Sequence, residues 1–382
     1  MSSRMDRALF YTVCLLMLLG VLFVFSASSY FSIRYTGNEY TYTMKQLVFV
    51  MVGFVAMVFF SQYDYQKLRR WIKPVVLVTF VLLLLVFVPG LGSVRGGARR
   101  WISFGFFDFN PAEFAKLVVV VYIAHILTKK QHKLQDFTFG LLPPLLIVTA
   151  MFFIILMQSG FSIATMLFLV ALVLFFVGGA SMKHLLGVGL LSLPVLVTFV
   201  VQVAYRKSRI LSFLDPWADP YGKGYHLIQS YKAFANAGWL GRGLGNSLQK
   251  LGALPTPHTD FIFAVITEEM GLLVALLLLG LYVFLFLRAF VIARHVKDPF
   301  GQTLGYGISS LLGFHVLFNI GVTTGLLPPT GVSLPFLSYG GSSLLMFSIA
   351  MGILLNLSKH VDEEVVSTVQ EIHRDFQESL DE

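Results

Sequence analysis

The sequence is poor in charge and contains almost no cysteine. Charged residues make up 13% of the 382 residues, whereas hydrophobic residues make up 56%. Soluble domains carry about 25% charged residues, so these side chains cannot cover a soluble surface. The single cysteine, Cys14, excludes a disulfide framework within one chain and any zinc or iron–sulfur site built from several cysteines.

The sequence also lacks an internal repeat and any motif for an organic cofactor. The glycine-rich stretch 238–245 does not end in Lys followed by Ser or Thr, so it is not a P-loop. We interpret its glycines as a tight turn in which backbone approaches backbone. The formal net charge of +8 is expected for basic loops beside membrane spans, so nucleic-acid binding is not indicated.

What the sequence has in abundance is long apolar stretches. A helix crosses a bilayer with about 20 residues. Ten stretches of this kind lie near residues 8–26, 47–60, 75–88, 114–127, 139–157, 163–177, 185–203, 261–287, 304–322 and 342–357. We therefore predict an all-α polytopic membrane protein of about ten transmembrane helices, with one membrane domain over residues 1–360 and an acidic cytoplasmic tail over 361–382.

The positions of the basic residues predict the orientation. If the N-terminus is cytoplasmic, most Lys and Arg side chains fall inside, and the short outer loops after spans five and nine carry none. Both termini are then cytoplasmic. Arg4 and Arg7 before the first span are also compatible with a signal peptide, but the apolar core exceeds the roughly 7 to 15 residues of an h-region, which favours an uncleaved span.

Two predicted outer segments depart from simple loops. Residues 204–259, between spans seven and eight, carry seven basic residues and several aromatic side chains. Loops this long are usually functional, so we expect a structured, basic outer loop that suits an anionic, lipid-linked ligand. Glycine and proline at 328–331 and 339–342 predict a partly re-entrant segment, which a bilayer tolerates only where protein or water surrounds it.

Asp260 lies directly before the apolar run of span eight, after His258 and Thr259. Thr259 or Asp260 could cap that helix by accepting hydrogen bonds from its first backbone N–H groups. Asp260 could also be a general base at the membrane surface, where partial burial raises the pKa of a carboxylate. The two roles are compatible.

Glu268 and Glu269 follow Asp260 within the same span, roughly 12 Å deeper. Ionisable groups at this depth face a bundle interior or a wet cavity, usually with a partner, and are functional candidates. Lys116 in span four is one such partner. Glu113, three residues before Lys116, could equally neutralise it along the same helix, and a purely structural ion pair is the other interpretation.

Taken in order, these motifs resemble the SEDS family of shape, elongation, division and sporulation proteins, which includes RodA, FtsW and SpoVE. The resemblance runs from Ser26 to about Asn356, with a slight preference for FtsW. Its strongest blocks are 97–101 with 111–116, 214–220, 224–230, 241–250, 258–264 with 268–269, 319–328 and 334–342.

The resemblance implies a peptidoglycan glycosyltransferase that polymerises lipid II at the outer face of the bacterial plasma membrane. Implied partners are a class B penicillin-binding protein and other divisome or elongasome membrane proteins. The family's catalytic aspartate falls on Asp260, which would act as general base. Cations would stabilise the leaving diphosphate, and a divalent cation could bridge it, although no dense carboxylate cluster predicts a metal site. The substrate-binding candidates are Arg99, Arg100, Lys116, Arg209, His258, Glu113, Glu268 and Glu269.

The chain departs from the family pattern at Asn110, at Ala112, at residues 235–238 and, with more consequence, at Gly160. Gly160 stands where the family usually has an aspartate, so no role can be transferred to that position. Two other functions fit the sequence: a lipid II flippase, with the buried ionisable groups along its pathway, and a non-catalytic scaffold for a cell-wall synthase. The absence of inverted repeats and the outer position of the best motifs favour the polymerase over the flippase.

Overall fold

The computed structural model describes residues 5–95, 98–105, 107–202 and 204–361. These residues form twelve α-helices and one small antiparallel sheet of order β1-β2-β3. The strands are β1 (Gly92–Arg95), β2 (Ala98–Ser103) and β3 (Asp108–Phe109). The helices are α1 (Arg7–Thr36), α2 (Thr41–Gln62), α3 (Leu68–Leu85), α4 (Pro111–Lys129), α5 (Leu142–Met157), α6 (Phe161–Val177), α7 (Met182–Val201), α8 (Ala204–Leu214), α9 (Tyr225–Ala237), α10 (Ile262–His295), α11 (Pro299–Thr323) and α12 (Gly341–Leu357).

Each of the ten predicted apolar stretches coincides with one helix, namely α1 to α7 and α10 to α12. Eight helices in the described part of the chain are long and apolar enough to cross a membrane. The other two are α6, which has 17 residues, and α3, which carries three basic residues in its first two turns. The predicted all-α polytopic fold is therefore confirmed. The predicted tail beyond Val361 lies outside the described residues.

Hydrogen bonds between distant segments fasten one end of the bundle, called here the Asp6 end. Asp6 caps α1, accepts a bond from Arg288 at 2.6 Å and donates its N–H to Ser358. Asn356 at the end of α12 accepts the Tyr65 N–H and donates to the Ser61 carbonyl in the last turn of α2. Both chain ends of the described bundle are thus tied to its helices.

The centre of the bundle is formed by α4, α11 and α12, which are mostly buried, whereas α7 is almost wholly exposed. Glycine allows α2 and α12 to approach closely. A Cβ added at Gly352 of α12 would lie 2.5 Å from the Met57 carbonyl oxygen, and one at Gly53 of α2 would lie 2.6 Å from Ser348 Oγ. Larger residues at either position would force these two helices apart.

Residues 328–340, between α11 and α12, form the re-entrant segment. It has no regular secondary structure, yet every residue except Gly331 is buried or half-buried. Tyr282 of α10 donates its hydroxyl to the Pro335 carbonyl, and the Phe336 carbonyl packs against Gly20 in the middle of α1. Protein therefore surrounds this irregular backbone, as the sequence predicts.

Helix α10 is broken at Gly271, whose φ of 81° and ψ of 172° are not helical. Residues 238–250 form a turn that enters this break. Arg242 N–H donates to the Glu268 carbonyl at 3.1 Å, and Gly243 N–H donates to the Glu269 carbonyl at 2.8 Å. These bonds satisfy the carbonyls that the break leaves without helical partners. The predicted close approach of backbone to backbone at the glycine-rich turn is confirmed.

Two parts of the architecture were not predicted. The predicted outer loop 204–259 contains the helices α8 and α9, and residues 92–95, 98–103 and 108–109 form the small sheet. Strands of two to six residues give a weak sequence signal. The sheet forms because β2 pairs with both β1 and β3, and neither partner could be inferred from local sequence.

Candidate functional site

The backbone of the segment before α10 is held in place by hydrogen bonds. Three consecutive carbonyls, at His258, Thr259 and Asp260, each accept a hydrogen bond from another part of the chain. The donors are Tyr339 N–H at 2.8 Å, Ser338 Oγ at 2.7 Å and Asn319 Nδ2 at 2.9 Å. Asn319 also donates to the Val332 carbonyl at 2.7 Å, so one buried amide joins this segment to the re-entrant segment.

The Asp260 side chain does not cap α10, so the predicted cap is wrong. The N-cap residue is Phe261, and no side chain provides the capping bond. A capping oxygen reaches the second or third N–H of a helix, and Asp260 lies one residue too early. Thr259 instead donates to the Thr256 carbonyl. Among the described residues, none donates a hydrogen bond to the half-buried Asp260 carboxylate, which lies beside exposed Gly331.

Two basic side chains share the electrostatic environment of Asp260. His226 of α9 stacks on Phe261 with ring centroids 5.9 Å apart. Burial lowers the pKa of His226; the Asp260 carboxylate opposes this effect, and the Arg209 guanidinium adds to it. Arg209 donates to the Pro329 carbonyl at 3.1 Å, two residues before Gly331. A carboxylate, an imidazole and a guanidinium thus converge on one end of the bundle.

His258, predicted as a substrate-binding residue, is 2% exposed and packs among aromatic rings. The ring centroids of Phe31, Tyr42 and Tyr339 lie 5.1, 4.7 and 5.5 Å from its own. Burial lowers its pKa to about 4, so the imidazole is neutral at pH 7. Its observed contacts support the backbone on which Asp260 is carried.

Glu268 and Glu269 belong to the Lys250 cluster, which comprises Ser26, Asn236, Ser247, Lys250, Glu268 and Glu269. Lys250 Nζ lies 2.6 Å from Glu269 Oε1, and Ser26 Oγ donates to Glu269 Oε2 at 2.6 Å. Glu268 accepts bonds from Ser247 Oγ and from Asn236 at 3.0 Å. The cationic partner of Glu269 is therefore Lys250 of the turn, whereas Glu268 bonds to neutral groups, and the predicted pairing with Lys116 is wrong.

Lys116 pairs along its own helix, which was the alternative prediction. Its Nζ lies 2.9 Å from Glu113 Oε2 and also contacts His315 Nε2 of α11. Asn110 caps α4 one turn before Glu113, so the carboxylate lies in the first turn, where negative charge is favoured. Lys116 is 1% exposed.

Arg99 and Arg100 lie on β2 and bond to backbone carbonyls. Arg99 is exposed and donates to the Phe87 carbonyl at 3.2 Å. Arg100 donates to the Ser159 carbonyl, next to Gly160. Ser162, in the first turn of α6, donates to the Thr330 carbonyl at 2.9 Å. Arg100 is thus connected through the start of α6 to the re-entrant segment.

Sequence reasoning missed four residues of this region: His226, Lys250, His315 and Asn319. His315 and Asn319 are polar residues one turn apart in an apolar span, a signal that could have revealed them. Lys250 gave no such signal because its pairing depends on how the turn 238–250 folds back. Within the described ranges, no three His, Cys, Asp or Glu side chains form a group suited to a metal ion.

Comparisons with known proteins identify the family. The sequence profile of the cell cycle protein family FTSW_RODA_SPOVE matches residues 6–363. The chain belongs to this family. This is the SEDS family that the motifs resemble, so the predicted membership is confirmed.

Relatives and solved structures agree with SEDS membership. The chain is 40% identical to FtsW of Geobacter metallireducens, named a probable peptidoglycan glycosyltransferase, over 93% of this chain and 95% of that protein. It is 41% identical to stage V sporulation protein E of Bacillus subtilis, over 93% and 97%.

Among solved structures, one concerns the structural coordination of polymerization and crosslinking by a peptidoglycan synthase complex. A chain of that structure superposes with a TM-score of 0.76 and 30% identity, over 93% of this chain and 98% of that one. The rod shape determining protein RodA of Thermus thermophilus gives a TM-score of 0.70 at 25% identity, over 94% and 98%. The whole described bundle is therefore a SEDS fold.

Proposed function

We propose that this SEDS protein is a glycosyltransferase that polymerises lipid II into glycan strands at the outer face of the bacterial plasma membrane. The proposal rests on one observation above all. The Asp260 carboxylate is half-buried and receives no hydrogen bond from the described residues, while its backbone is fixed on both sides. Relatives named as peptidoglycan glycosyltransferases support the reaction class.

In this proposal Asp260 is the general base. It takes the proton from the 4-hydroxyl of a lipid-linked disaccharide as that oxygen attacks the anomeric carbon of the growing chain. The bond from that carbon to the diphosphate breaks, and undecaprenyl diphosphate leaves with the electron pair. A diphosphate is a weak base, so it needs a nearby cation more than a proton donor. Arg209 is the proposed cation, because it donates to the Pro329 carbonyl, two residues before the Gly331 that lies beside the Asp260 carboxylate.

The observed contacts support different roles for the other substrate-binding candidates. Lys116, Glu113 and Glu269 are buried in ion pairs. Glu268 is buried and accepts hydrogen bonds from Ser247 and Asn236. We assign all four to holding the helices around the site. Arg99 and Arg100 are on the sheet at the same end of the bundle and remain proposed contacts for the substrate. Any divalent cation would be held mainly by the diphosphate; comparing chain synthesis in EDTA and in added magnesium tests this.

Orientation and partners complete the proposal. We place the Asp6 end of the bundle in the cytoplasm, because the Lys and Arg residues that are predicted to lie inside cluster there. The Asp260 end then lies outside. We propose a class B penicillin-binding protein as partner, which fits the similarity to a complex that couples polymerization with crosslinking. Labelling of single cysteines introduced at each end of the bundle in intact cells tests the orientation.

The deciding experiment measures polymerisation of labelled lipid II by the purified protein with its partner. Asp260→Asn removes the base at nearly constant volume and should lower kcat about 100-fold or more. Asp219→Asn, in the exposed outer loop, is the matched control and should retain activity. Equal activity of wild type and Asp260→Asn would refute the assignment. Lipid translocation without chain synthesis would instead support the flippase, and neither activity would support the scaffold.

A further inference from the structure

The ring of His315 is chemically unusual for a side chain within the bundle. Its Nε2 contacts the Lys116 ammonium, and the ring is 1% exposed. An ammonium has only donors, so Nε2 must accept, and the ring proton must lie on Nδ1. Phe347 of α12 packs its edge against the ring at 4.7 Å and 86°, which limits rotation. One tautomer in one orientation is therefore defined.

The second ring nitrogen faces the re-entrant segment. The Ser333 backbone lies beside the ring. Among the described residues, Nδ1 has no hydrogen-bond partner in standard geometry. An N–H in this position can donate to that backbone directly or through one water molecule. Direct contacts thus join Glu113, Lys116 and His315, and the Ser333 backbone lies beside the last of these groups.

The chain of contacts continues to Asp260. Ser333 follows Val332, whose carbonyl accepts a bond from Asn319 at 2.7 Å. The same Asn319 amide donates to the Asp260 carbonyl at 2.9 Å. His315 and Asn319 are one turn apart on α11, so both act on the re-entrant segment from one helix face. The Glu113–Lys116 pair therefore has a short polar connection to the backbone that carries Asp260.

We propose that His315 is a positioning residue that couples the buried Glu113–Lys116 ion pair to the re-entrant segment and so fixes the Asp260 carboxylate for glycosyl transfer. This inference rests on the proposed function. His315 does not touch the substrate. It acts by accepting from Lys116 with one ring nitrogen and presenting a donor to residues 328–340 with the other. A change of position of about 1 Å at a reacting group can cost roughly 100-fold in rate.

Two substitutions at His315 separate positioning from simple packing. His315→Leu fills space but can neither accept from Lys116 nor donate to Ser333, so kcat should fall about 10- to 100-fold while KM changes little. His315→Gln has both an acceptor and a donor and should restore most of kcat. His132→Leu, at an exposed position, is the matched control and should leave kcat unchanged. Equal loss in the Leu and Gln variants would overturn the proposal.

Hydrogen exchange provides a readout that does not need activity. Amides of residues 328–340 should exchange faster in His315→Leu than in wild type and in His315→Gln. Unchanged exchange in the Leu variant would refute the coupling even if the protein proved not to be a polymerase. Wild-type protein that makes no glycan chains, with exchange changed as expected, would refute the proposed function alone.

A variant that also lacks the Glu113 and Lys116 charges keeps the proposal testable if His315→Leu does not fold. The triple variant Glu113→Gln, Lys116→Met, His315→Leu contains no unpaired buried charge, and such replacements are often tolerated. It should fold and still show low kcat and faster exchange at 328–340, because the donor to Ser333 is missing. Wild-type kcat in the folded triple variant would overturn the proposal.

Discussion

Removing the Lys250 ammonium tests whether the Lys250 cluster fixes the break in α10. Lys250 and Glu269 are 3% and 1% exposed at their side chains, and their charged atoms lie 2.6 Å apart. Lys250→Met keeps most of the apolar stem but leaves Glu269 without its cation. Losing one partner of a buried pair costs about 3 to 5 kcal/mol. At about 2 °C per kcal/mol for a large chain, Tm should fall by roughly 6 to 10 °C.

Neutralising the second partner should reverse most of this loss. In Lys250→Met/Glu269→Gln the charge of Glu269 is removed together with its cation, and the glutamine oxygen can still accept from Ser26. The expected coupling energy between the two positions is about 2 kcal/mol or more in favour of the pair. Lys232→Met on the exposed face of α9 is the control for removing a lysine charge and should leave Tm unchanged.

Thermal unfolding in detergent of wild type, Lys250→Met, Glu269→Gln and the double variant measures this cycle, and hydrogen exchange over 238–250 locates the effect. If Lys250→Met and the double variant lose the same stability, the ion pair is not what holds the turn. The aliphatic stem of Lys250 would then carry the effect through packing. If Lys250→Met is as stable as wild type, the cluster does not fix the break at all.

Two further predictions concern residues around the site. Gly271→Ala should destabilise the protein by about 1 to 3 kcal/mol and lower Tm, because the φ of 81° is unfavourable for alanine. The new Cβ would also lie 2.3 Å from the Trp239 carbonyl oxygen. Gly280→Ala in the same helix is the control and should not lower Tm, because its Cβ would meet open space. Burial lowers the pKa of His258 to about 4, below the value near 6.5 in an unfolded chain, so the unfolded state binds the proton first as pH falls. The contribution of His258 to the free energy of unfolding should be constant above about pH 6.5 and fall by up to about 3 kcal/mol down to pH 4. His258→Phe should therefore show a flatter pH dependence of Tm than wild type, and an identical slope would contradict this.

The membrane fold could be predicted from the sequence because its signal is local. Apolar stretches of the length of a span mark α1 to α7 and α10 to α12 without knowledge of what each helix contacts. The re-entrant segment was also predictable, because Pro328, Pro329, Gly340 and Gly341 cannot continue an exposed helix in a bilayer. The helices α8 and α9 were not predicted, because the charge and aromatic content of residues 204–259 do not indicate helical periodicity.

Partner assignments for buried charges could not be settled in the same way. Lys116 had two acceptable partners, one along its helix and one across the bundle, and only the relative positions of α4 and α10 decide between them. Glu269 pairs with a lysine 19 residues earlier, and that pairing exists only because Gly241 and Gly271 let two backbones approach. The local sequence does not show that these two backbones lie close together.

Asp260 could be located from the sequence, whereas its surroundings could not. A lone aspartate before an apolar span is visible in the sequence, but both roles considered for it depend on where the helix begins. The helix begins one residue too late for Asp260 to cap it, since Phe261 is the N-cap. No described residue therefore donates a hydrogen bond to the carboxylate, while Asn319, Ser338 and Tyr339 hold the backbone on which it stands. A carboxylate fixed in position but not engaged by the fold is what a general base requires.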